Sequence, residues 1–407
     1  MEIKNVSLVN KCTGCGLCSF VCPKDAIQIK EDPSRKHFIF PLIDNEKCIN
    51  CRLCLNKCPN HNVPSKPLNL ESKVFHYRRE NEKELIKSSS GGAFQAIAKL
   101  LFNGNCSIYG AAWNGFKVEH KRIDSLEELD ALLSSKYVQS YIDKSIYKDI
   151  KEDIKNGMMV IFSGTPCQIA AVSMLLNESE KKNLYLVELL CHGVPNQWAF
   201  DQCIKYENRL IKGQITNFSF RYKVDNYSEN RKFRYEYLKG DQKYQLIADN
   251  VFFPYYRYFH TCSIYRDSCY ECNFRTNRLG DIVIGDLWYA SEMVKSIKCD
   301  WSHSVMVPLT EKGEELANKL AELTSLSIKD VTEHNGSFLY NKAPDKKYEG
   351  FYKELESIEN YKKMRPSLFK IKAPKDIKNT VKFFLNIVLP KSKRKSYEKV
   401  TRKVSKI

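Results

Sequence analysis

Two copies of one cysteine pattern follow each other within the first 60 residues. In each copy three cysteines are separated by two residues, and a fourth follows after three more residues and precedes a proline: Cys12, Cys15, Cys18 and Cys22, then Cys48, Cys51, Cys54 and Cys58. Runs of this spacing bind two 4Fe–4S clusters, and the fourth cysteine of each run binds the cluster of the other run. Cys58 should therefore complete the cluster of the first run and Cys22 that of the second. The pattern predicts a small domain that carries single electrons.

Zinc and disulfide bonds are the alternatives to iron–sulfur clusters. A zinc site usually takes two C-x2-C pairs, or cysteines with histidines, and the third cysteine and the trailing Cys-Pro of each run do not match it. Disulfides are typical of short secreted chains, whereas this chain has 407 residues and 16 cysteines. Because the first motif begins so close to Met1, we expect no export signal and a cytoplasmic protein.

The chain has a formal net charge of +17, but much of the excess lies at one end. Residues 370–407 hold 13 Lys and Arg against two acids, so we expect no specific nucleic-acid partner. A zinc-stabilised nucleic-acid binder remains the competing class, and it predicts salt-sensitive retention of DNA or RNA. Two interpretations of the tail stay open: a solvated segment, or a peripheral contact with anionic lipid at the inner membrane face. No apolar run approaches the ~20 residues that span a bilayer.

A strand–helix–strand unit is predicted in the middle of the chain. The apolar runs 158–162 and 184–190 predict strands, and 167–176 predicts the helix between them. Such a crossover joins parallel strands. Their carboxyl ends meet at one edge of the sheet, where α/β sheets bind ligands. Cys167 and Cys191 come just after these two strand ends.

A C-x2-C pair, Cys269 and Cys272, follows later in the chain. With the two strand-end cysteines it brings the number of candidate ligands outside the N-terminal runs to four. Together with Cys167 and Cys191 this pair would suffice for a third 4Fe–4S cluster. Spacing alone leaves open structural zinc, or a packing role for the two strand-end cysteines. The other cysteines lack a partner at metal-binding spacing, and we interpret them as packing residues: Cys106, Cys203, Cys262 and Cys299.

Other segments support a mixed α/β fold. A helix is predicted at 144–155, another after a capping box at Ser125, and an antiparallel hairpin around Gly240. The fold class predicted is α/β, with a ferredoxin-like domain followed by a domain that has a mixed, partly parallel sheet.

Five further motifs point to a known family. They are Ser88-Ser89-Ser90-Gly91-Gly92-Ala93-Phe94, Ser135-Lys136-Tyr137-Val138-Gln139-Ser140, Ser163-Gly164-Thr165-Pro166-Cys167-Gln168, Cys191-His192-Gly193 and Ile284-Gly285-Asp286-Leu287-Trp288. With them, roughly residues 1–300 resemble the coenzyme F420 hydrogenase/dehydrogenase β-subunit family, preceded by a dicluster ferredoxin domain. The resemblance implies a flavoprotein with FAD and a 4Fe–4S cluster in its main domain.

The resemblance also implies which residues hold these groups. The cluster ligands would be Cys167, Cys191, Cys269 and Cys272, and the FAD-binding residues would be Ser90, Gly91, Gly92, Lys136, Thr165 and Pro166. Glycines let backbone amides approach a phosphate, and a lysine supplies positive charge. By itself, however, Gly-Gly before a helix is ordinary helix-start chemistry. Three residues within these motifs could have either a cofactor role or a structural one: His192, Asp286 and Trp288. No catalytic residue is therefore assigned.

The expected function follows from these cofactors. Iron–sulfur clusters exchange single electrons, organic substrates usually exchange hydrides, and a flavin converts between the two. We expect an oxidoreductase that links a ferredoxin or partner subunit to a small-molecule substrate or a deazaflavin-type coenzyme; oligomerisation is left open. The alternative is a non-catalytic electron-transfer subunit. The predicted domains are 1–66 (dicluster), 67–345 (FAD and 4Fe–4S) and 346–407 (basic extension).

Overall fold

The structure is a computed structural model. It describes residues 11–223, 232–297, 301–340, 343 and 350–364, and the backbone of 402–406. Most of the basic tail and Cys299 therefore lie outside the described residues. Within the described residues no helix has the length and apolar character needed to cross a bilayer.

The β-strands are β1 (Ile27–Asp32), β2 (Phe38–Ile43), β3 (Lys73–Tyr77), β4 (Cys106–Asn114), β5 (Lys117–Ile123), β6 (Met159–Gly164), β7 (Leu184–Leu189), β8 (Gln214–Ser219), β9 (Lys232–Lys239), β10 (Gln242–Asp249), β11 (Ile282–Asp286), β12 (Ser304–Pro308), β13 (Glu322–Ser327) and β14 (Arg402–Lys406).

The α-helices are α1 (Leu17–Phe20), α2 (Leu53–Asn56), α3 (Glu82–Lys87), α4 (Ala93–Leu101), α5 (Lys144–Lys155), α6 (Pro166–Leu175), α7 (Gln197–Ile211), α8 (Pro254–His260), α9 (Asp267–Tyr270), α10 (Ala290–Met293), α11 (Glu311–Leu320), α12 (Ile328–His334), α13 (Phe351–Glu354) and α14 (Ile358–Met364).

An eight-stranded mixed sheet forms the centre of the main domain, in the order β13-β3-β12-β11-β7-β6-β4-β5. The pairs β4–β6, β6–β7 and β7–β11 are parallel, and the outer pairs are antiparallel. Val160, Ile161 and Phe162 on β6 are fully buried, as expected for a parallel strand covered on both faces. The predicted α/β class with a partly parallel sheet is confirmed.

The predicted crossover from β6 through α6 to β7 is present. Pro166 occupies the first turn of α6, where a missing N–H costs little. The Gln168 side chain accepts a hydrogen bond from the Thr165 backbone N–H at 3.0 Å, which fixes the start of the helix. Because β6 and β7 are parallel, Thr165 and Cys191 follow the same edge of the sheet.

One predicted helix has a different form. The segment after Ser125 is a 3-10 helix, Leu126–Leu132. Its leucines recur every third residue, and Leu129 and Leu132 are buried. That period matches a 3-10 helix of three residues per turn, in which such side chains share one face.

A second sheet, ordered β14-β10-β9-β8, contains the predicted hairpin, since β9 and β10 pair antiparallel around Gly240. Its inner face packs on α7 and α8 through a dense aromatic core that includes Phe200, Phe220 and Tyr255. Rings in this core lie 5.3–5.8 Å apart, the usual spacing for aromatic contacts.

The cysteine-rich segment packs directly against the main domain. Its hairpin pairs β1 with β2, and each of the short helices α1 and α2 carries one cysteine of its run. Leu17 on α1 is buried with Tyr147 and Ile150 of α5. The Tyr147 hydroxyl also donates to the Cys15 backbone carbonyl at 2.6 Å. The first cysteine run is therefore held on the body of the protein.

Candidate functional site

The cysteines expected to hold the first cluster lie close together. The thiol of Cys18 has Cys15, Cys12 and Cys58 as electrostatic neighbours. Burial, followed by repulsion from these neighbours, raises the pKa of the Cys18 thiol well above its ordinary value. Buried thiolates this close together need a cation, which iron would supply.

The loop of the first run requires two glycines. Gly14 and Gly16 adopt positive φ angles of 66° and 83°, and an added Cβ at either would lie within 2.9 Å of neighbouring atoms. This left-handed backbone, which glycine adopts without strain, turns the cysteine loop within a crowded space.

The second set of N-terminal cysteines lines a cavity that opens to solvent. Its lining includes Cys22, Cys48, Cys51 and Cys54, together with Pro23, Ile27 and Ile43. Cys22 comes from the first run and the other three from the second, which is the exchange expected for a dicluster domain. Cys51 is exposed, so this site faces the outside of the protein.

Cys167, Cys191, Cys269 and Cys272 line a second cavity, in the main domain. Cys167 follows β6, Cys191 follows β7, and Cys269 and Cys272 come from the α9 segment. The cavity is also bordered by Thr13 of the ferredoxin segment, by Thr165 and Pro166, and by three arginines: Arg266, Arg275 and Arg278. Cysteines from three separate segments of the chain thus meet at the carboxyl edge of the parallel strands.

The four cysteines of the main-domain cavity have the number and type of donors that a 4Fe–4S cluster takes. Within the described residues no group of three or more His, Cys, Asp or Glu converges closely enough to bind one metal ion. In a 4Fe–4S cluster each thiolate binds a different iron, so the four sulfurs surround a volume instead of a point. Burial raises the pKa of the Cys167 thiol to about 12, and a bound metal would offset that cost because it binds the thiolate.

Hydrogen bonds and ion pairs stabilise the surroundings of the main-domain cavity. The Thr165 hydroxyl lies 3.3 Å from the Cys167 sulfur, and Arg275 donates to the Cys191 backbone carbonyl at 2.5 Å. Arg278 forms a fully buried ion pair with Glu188 of β7 at 2.5 Å. These contacts help to position the two strand ends that carry Cys167 and Cys191.

The other cysteines within the described residues do not line the cavities. Cys106 and Cys203 are 1% and 0% exposed and belong to two hydrophobic cores, and Cys262 is buried in the aromatic core.

Gly91 and Gly92 form the turn before α4, and each position favours glycine for a different reason. The Gly91 amide donates to the Ser304 hydroxyl at 2.9 Å, and a Cβ at Gly91 would lie 2.2 Å from the Tyr77 carbonyl oxygen. Gly91 is thus required for close packing on the sheet, and its amide is not directed at a phosphate. Gly92 starts α4 with φ of 90° and no side-chain cap, which leaves the first amides of the helix available to an anion.

Two lysines beside this turn contact only backbone carbonyls among the described residues. Lys136 Nζ donates to Leu133 at 2.7 Å and to Ser134 at 3.3 Å. Lys223 Nζ donates to Leu85 at 3.0 Å and to Ser90 at 2.7 Å. Burial lowers the pKa of each ammonium group to about 7, with Arg221 also contributing at Lys223. An anion at this place would stabilise both charges.

The segments expected to bind FAD are joined by hydrogen bonds. The Ser135 hydroxyl donates to Ser89 at 2.8 Å, and the buried His120 bridges Ser140 and the Ser163 carbonyl at 2.7 and 3.2 Å. The glycine turn, the lysine loop and the end of β6 therefore lie side by side.

Three residues whose roles the sequence left open have structural partners. Asp286 pairs with Arg221 at 2.6 and 3.0 Å. Burial acts to raise the pKa of that carboxyl, but Arg221 outweighs it and holds the pKa below its usual value. His192 shares a hydrogen bond with the Ser337 hydroxyl at 2.7 Å and lies against Trp288, with ring centres 5.4 Å apart.

Arg266, Lys223 and a histidine pair were missed by sequence reasoning. His76 and His303 share a hydrogen bond of 2.6 Å between β3 and the residue before β12. The partners of these side chains lie far away in the chain, so no local pattern signals them. Only Arg266 carried a hint, because it lies three residues before Cys269.

Two family models match the chain. The 4Fe–4S dicluster domain matches residues 11–62, and the model that describes the C-terminal part of the beta subunit of coenzyme F420 hydrogenase/dehydrogenase matches residues 157–334. The N-terminal cysteines thus belong to a 4Fe–4S domain.

Several known proteins are similar to the chain. One of the F420H2 dehydrogenase subunits of Methanosarcina mazei is 24% identical over 302 residues, which cover 70% of this chain and 78% of that protein. The coenzyme F420-dependent sulfite reductase of Methanocaldococcus jannaschii is 22% identical over 341 residues, or 79% of this chain and 47% of that protein. A chain of the F420-reducing NiFe hydrogenase complex from Methanosarcina barkeri aligns with a TM-score of 0.43 and 14% identity, over 68% of this chain and 93% of that one. Residues 157–334 therefore belong to the coenzyme F420 hydrogenase/dehydrogenase β-subunit family, and they follow an N-terminal 4Fe–4S dicluster domain.

Proposed function

We propose that this protein is an iron–sulfur flavoprotein oxidoreductase with three 4Fe–4S clusters and FAD. It passes electrons between a ferredoxin or partner subunit and a two-electron organic substrate. Cys12, Cys15, Cys18 and Cys58 hold one cluster; Cys22, Cys48, Cys51 and Cys54 hold the second; and Cys167, Cys191, Cys269 and Cys272 hold the third.

The observation that carries this proposal is the cavity in the main domain. Its four cysteines come from three segments separated by up to about a hundred residues, and they line one common cavity. The same space is bordered by Thr13, the neighbour of Cys12. A set of packing cysteines would have no reason to converge on a cavity next to another cluster motif.

Two features support a flavin site: positively charged groups lie beside the turn before α4, and the cavity of the third cluster is close by. FAD exchanges single electrons with iron–sulfur clusters and hydrides with organic substrates. Lys136 and Lys223 place positive charge beside the turn that holds Ser90 and Gly92, and the uncapped start of α4 adds backbone amides. Thr165 and Pro166 line the cavity of the third cluster, and the neighbouring Ser163 is joined through His120 to Ser140 of the lysine loop.

Exposed residues at the second N-terminal cluster site indicate where a redox partner would bind. Cys51, at the second N-terminal site, is exposed, and Ile49 beside it is 56% exposed. Electrons from a ferredoxin or a partner subunit would therefore reach this site first. Two of the similar proteins are named for coenzyme F420, which makes a deazaflavin one candidate for the substrate.

A pair of cysteine variants tests the third cluster. Cys272→Ser removes one of the four cavity thiolates, and we expect the anaerobically purified variant to lose about four iron atoms per chain. Cys262→Ser is the matched control, because Cys262 is close in sequence and buried but does not line the cavity. Equal iron content in the two variants would contradict the assignment.

A second candidate function is a non-catalytic electron-transfer subunit. The name of the Methanosarcina mazei protein, which is a dehydrogenase subunit, favours it. This function predicts the clusters without tightly bound FAD, and reduction of a substrate only after a partner is added. A flavin assay on the isolated protein separates the two candidates.

A further inference from the structure

Arg266 is a buried arginine at the boundary between the cysteine-rich segment and the main domain. It is 1% exposed. One end of its guanidinium donates to the Ile39 carbonyl at 3.1 Å, and the other donates to the Gln139 side chain at 2.5 Å. Phe38 and Phe40 lie 4.7 and 4.8 Å from the guanidinium carbon.

In the described ranges of the chain this guanidinium has no carboxylate partner. No salt bridge joins Arg266 to an acidic side chain among the described residues, and its Nε atom has no hydrogen-bond partner there. A buried charge that is not compensated costs several kcal/mol. The other buried arginines differ, since Arg278 pairs with Glu188 and Arg221 with Asp286. A negative charge of another kind is therefore needed near Arg266.

Cysteines of both the first N-terminal set and the main-domain set are near Arg266. Its electrostatic neighbours include Cys12 from the first N-terminal set, and Cys269 and Cys167 from the main-domain set. Arg266 itself lines the main-domain cavity. A 4Fe–4S cluster with four thiolates carries about −2 in its oxidised form, and about −3 when reduced. The charge that Arg266 lacks would be supplied by the two clusters.

Hydrogen bonds tie the two cysteine sets together at this point. Gln139, which accepts from Arg266, donates to the Thr13 carbonyl at 3.0 Å. Ser268, beside Cys269, donates to the Cys12 carbonyl at 3.1 Å. The first N-terminal site therefore adjoins the third site, whereas the second N-terminal site opens to solvent.

We propose that Arg266 is a shared counter-ion of the first and third clusters, and that it raises the reduction potentials of both. The inference rests on the proposed function, because it requires both clusters. A nearby positive charge stabilises the more negative reduced cluster more than the oxidised one, and the effect is strong because water is excluded. Arg266 is a positioning residue that also holds the ferredoxin segment against the main domain.

The test is an anaerobic redox titration of the full-length protein, followed by electron paramagnetic resonance. Arg266→Gln removes the charge and keeps a polar side chain, and we expect two of the three cluster potentials to shift to more negative values. The control is Arg35→Gln, because Arg35 is exposed and lies over the same Phe40 ring at 3.2 Å. Its removal should shift the potentials much less, since water screens its charge.

A second variant covers the case in which Arg266→Gln fails to assemble. Gln139→Glu keeps an acceptor for Arg266 and places a negative charge beside the guanidinium, so it should also shift the same two potentials negatively. If a variant retains about 12 iron atoms and its cluster reduction potentials are unchanged, this inference is wrong but the proposed function is not affected. A wild-type protein with only about eight iron atoms would instead contradict the proposed function, and the inference with it.

Discussion

At the scale of single residues, three cations that are buried or half-buried have no carboxylate partner within the part of the chain that the structure describes. Lys136, Lys223 and Arg266 donate to backbone carbonyls or an amide. Such groups are costly unless an anion is bound nearby. All three lie beside the predicted cofactor residues, which suggests that the protein is built to receive negatively charged groups there.

The pKa of Lys136 gives a pH-dependent prediction. With its pKa lowered by burial to about 7, the Lys136 ammonium group is charged below pH 7 and loses its charge as the pH rises above it. The affinity for FAD should therefore fall as the pH rises through about 7. Lys136→Met should weaken FAD binding by roughly 10- to 100-fold at low pH. The same variant should also show a weaker dependence of FAD affinity on pH, because only Lys223 would still lose its charge.

Fluorescence titration of flavin-free protein with FAD measures this effect. Lys83→Met is a suitable control, because Lys83 is exposed on the neighbouring helix α3. If Lys136→Met and Lys83→Met bind FAD equally well at every pH, Lys136 does not contact the flavin.

At the scale of elements, Gly91 determines how closely the turn before α4 approaches the sheet. A Cβ at this position would lie 2.2 Å from the Tyr77 carbonyl and 2.6 Å from the Ser304 amide, both backbone atoms. Gly91→Ala should therefore lower the free energy of unfolding by about 1–3 kcal/mol, as overpacking commonly does. Chemical denaturation followed by circular dichroism measures the change.

The control for Gly91→Ala is Gly110→Ala. A Cβ at Gly110 would make ordinary contacts with Leu132 at 3.5 Å and beyond, and Gly110 also lies in the large sheet. A loss of stability as large at Gly110 as at Gly91 would show that steric crowding of the turn is not the cause.

Elements with strong local signals could be predicted from the sequence. Helix α5 spans Lys144–Lys155, as its pattern predicted, and the β6–α6–β7 crossover agrees within one or two residues. The helix after Ser125 was predicted without its 3-10 form, because capping residues mark a helix start but do not specify the type of helix. The three-residue leucine period was the available signal.

At the scale of the whole molecule, the ferredoxin segment is joined to the main domain by contacts that no local pattern encodes. His37 stacks on Trp198 with ring centres 4.0 Å apart, and Gln139 reaches Thr13 across 126 residues of sequence. The cysteine spacing predicted the N-terminal cluster ligands, and the family resemblance was needed for the third set. Neither could indicate that Arg266 lies between the first and third sets, since that depends on tertiary packing.

The iron, sulfide and flavin content of the wild-type protein, purified and assayed without air, tests the central claim most directly. The account predicts about 12 iron atoms, about 12 sulfides and one FAD per chain. A protein that, after careful reconstitution, holds zinc in place of iron would contradict the account, as would one that binds about eight iron atoms and no flavin.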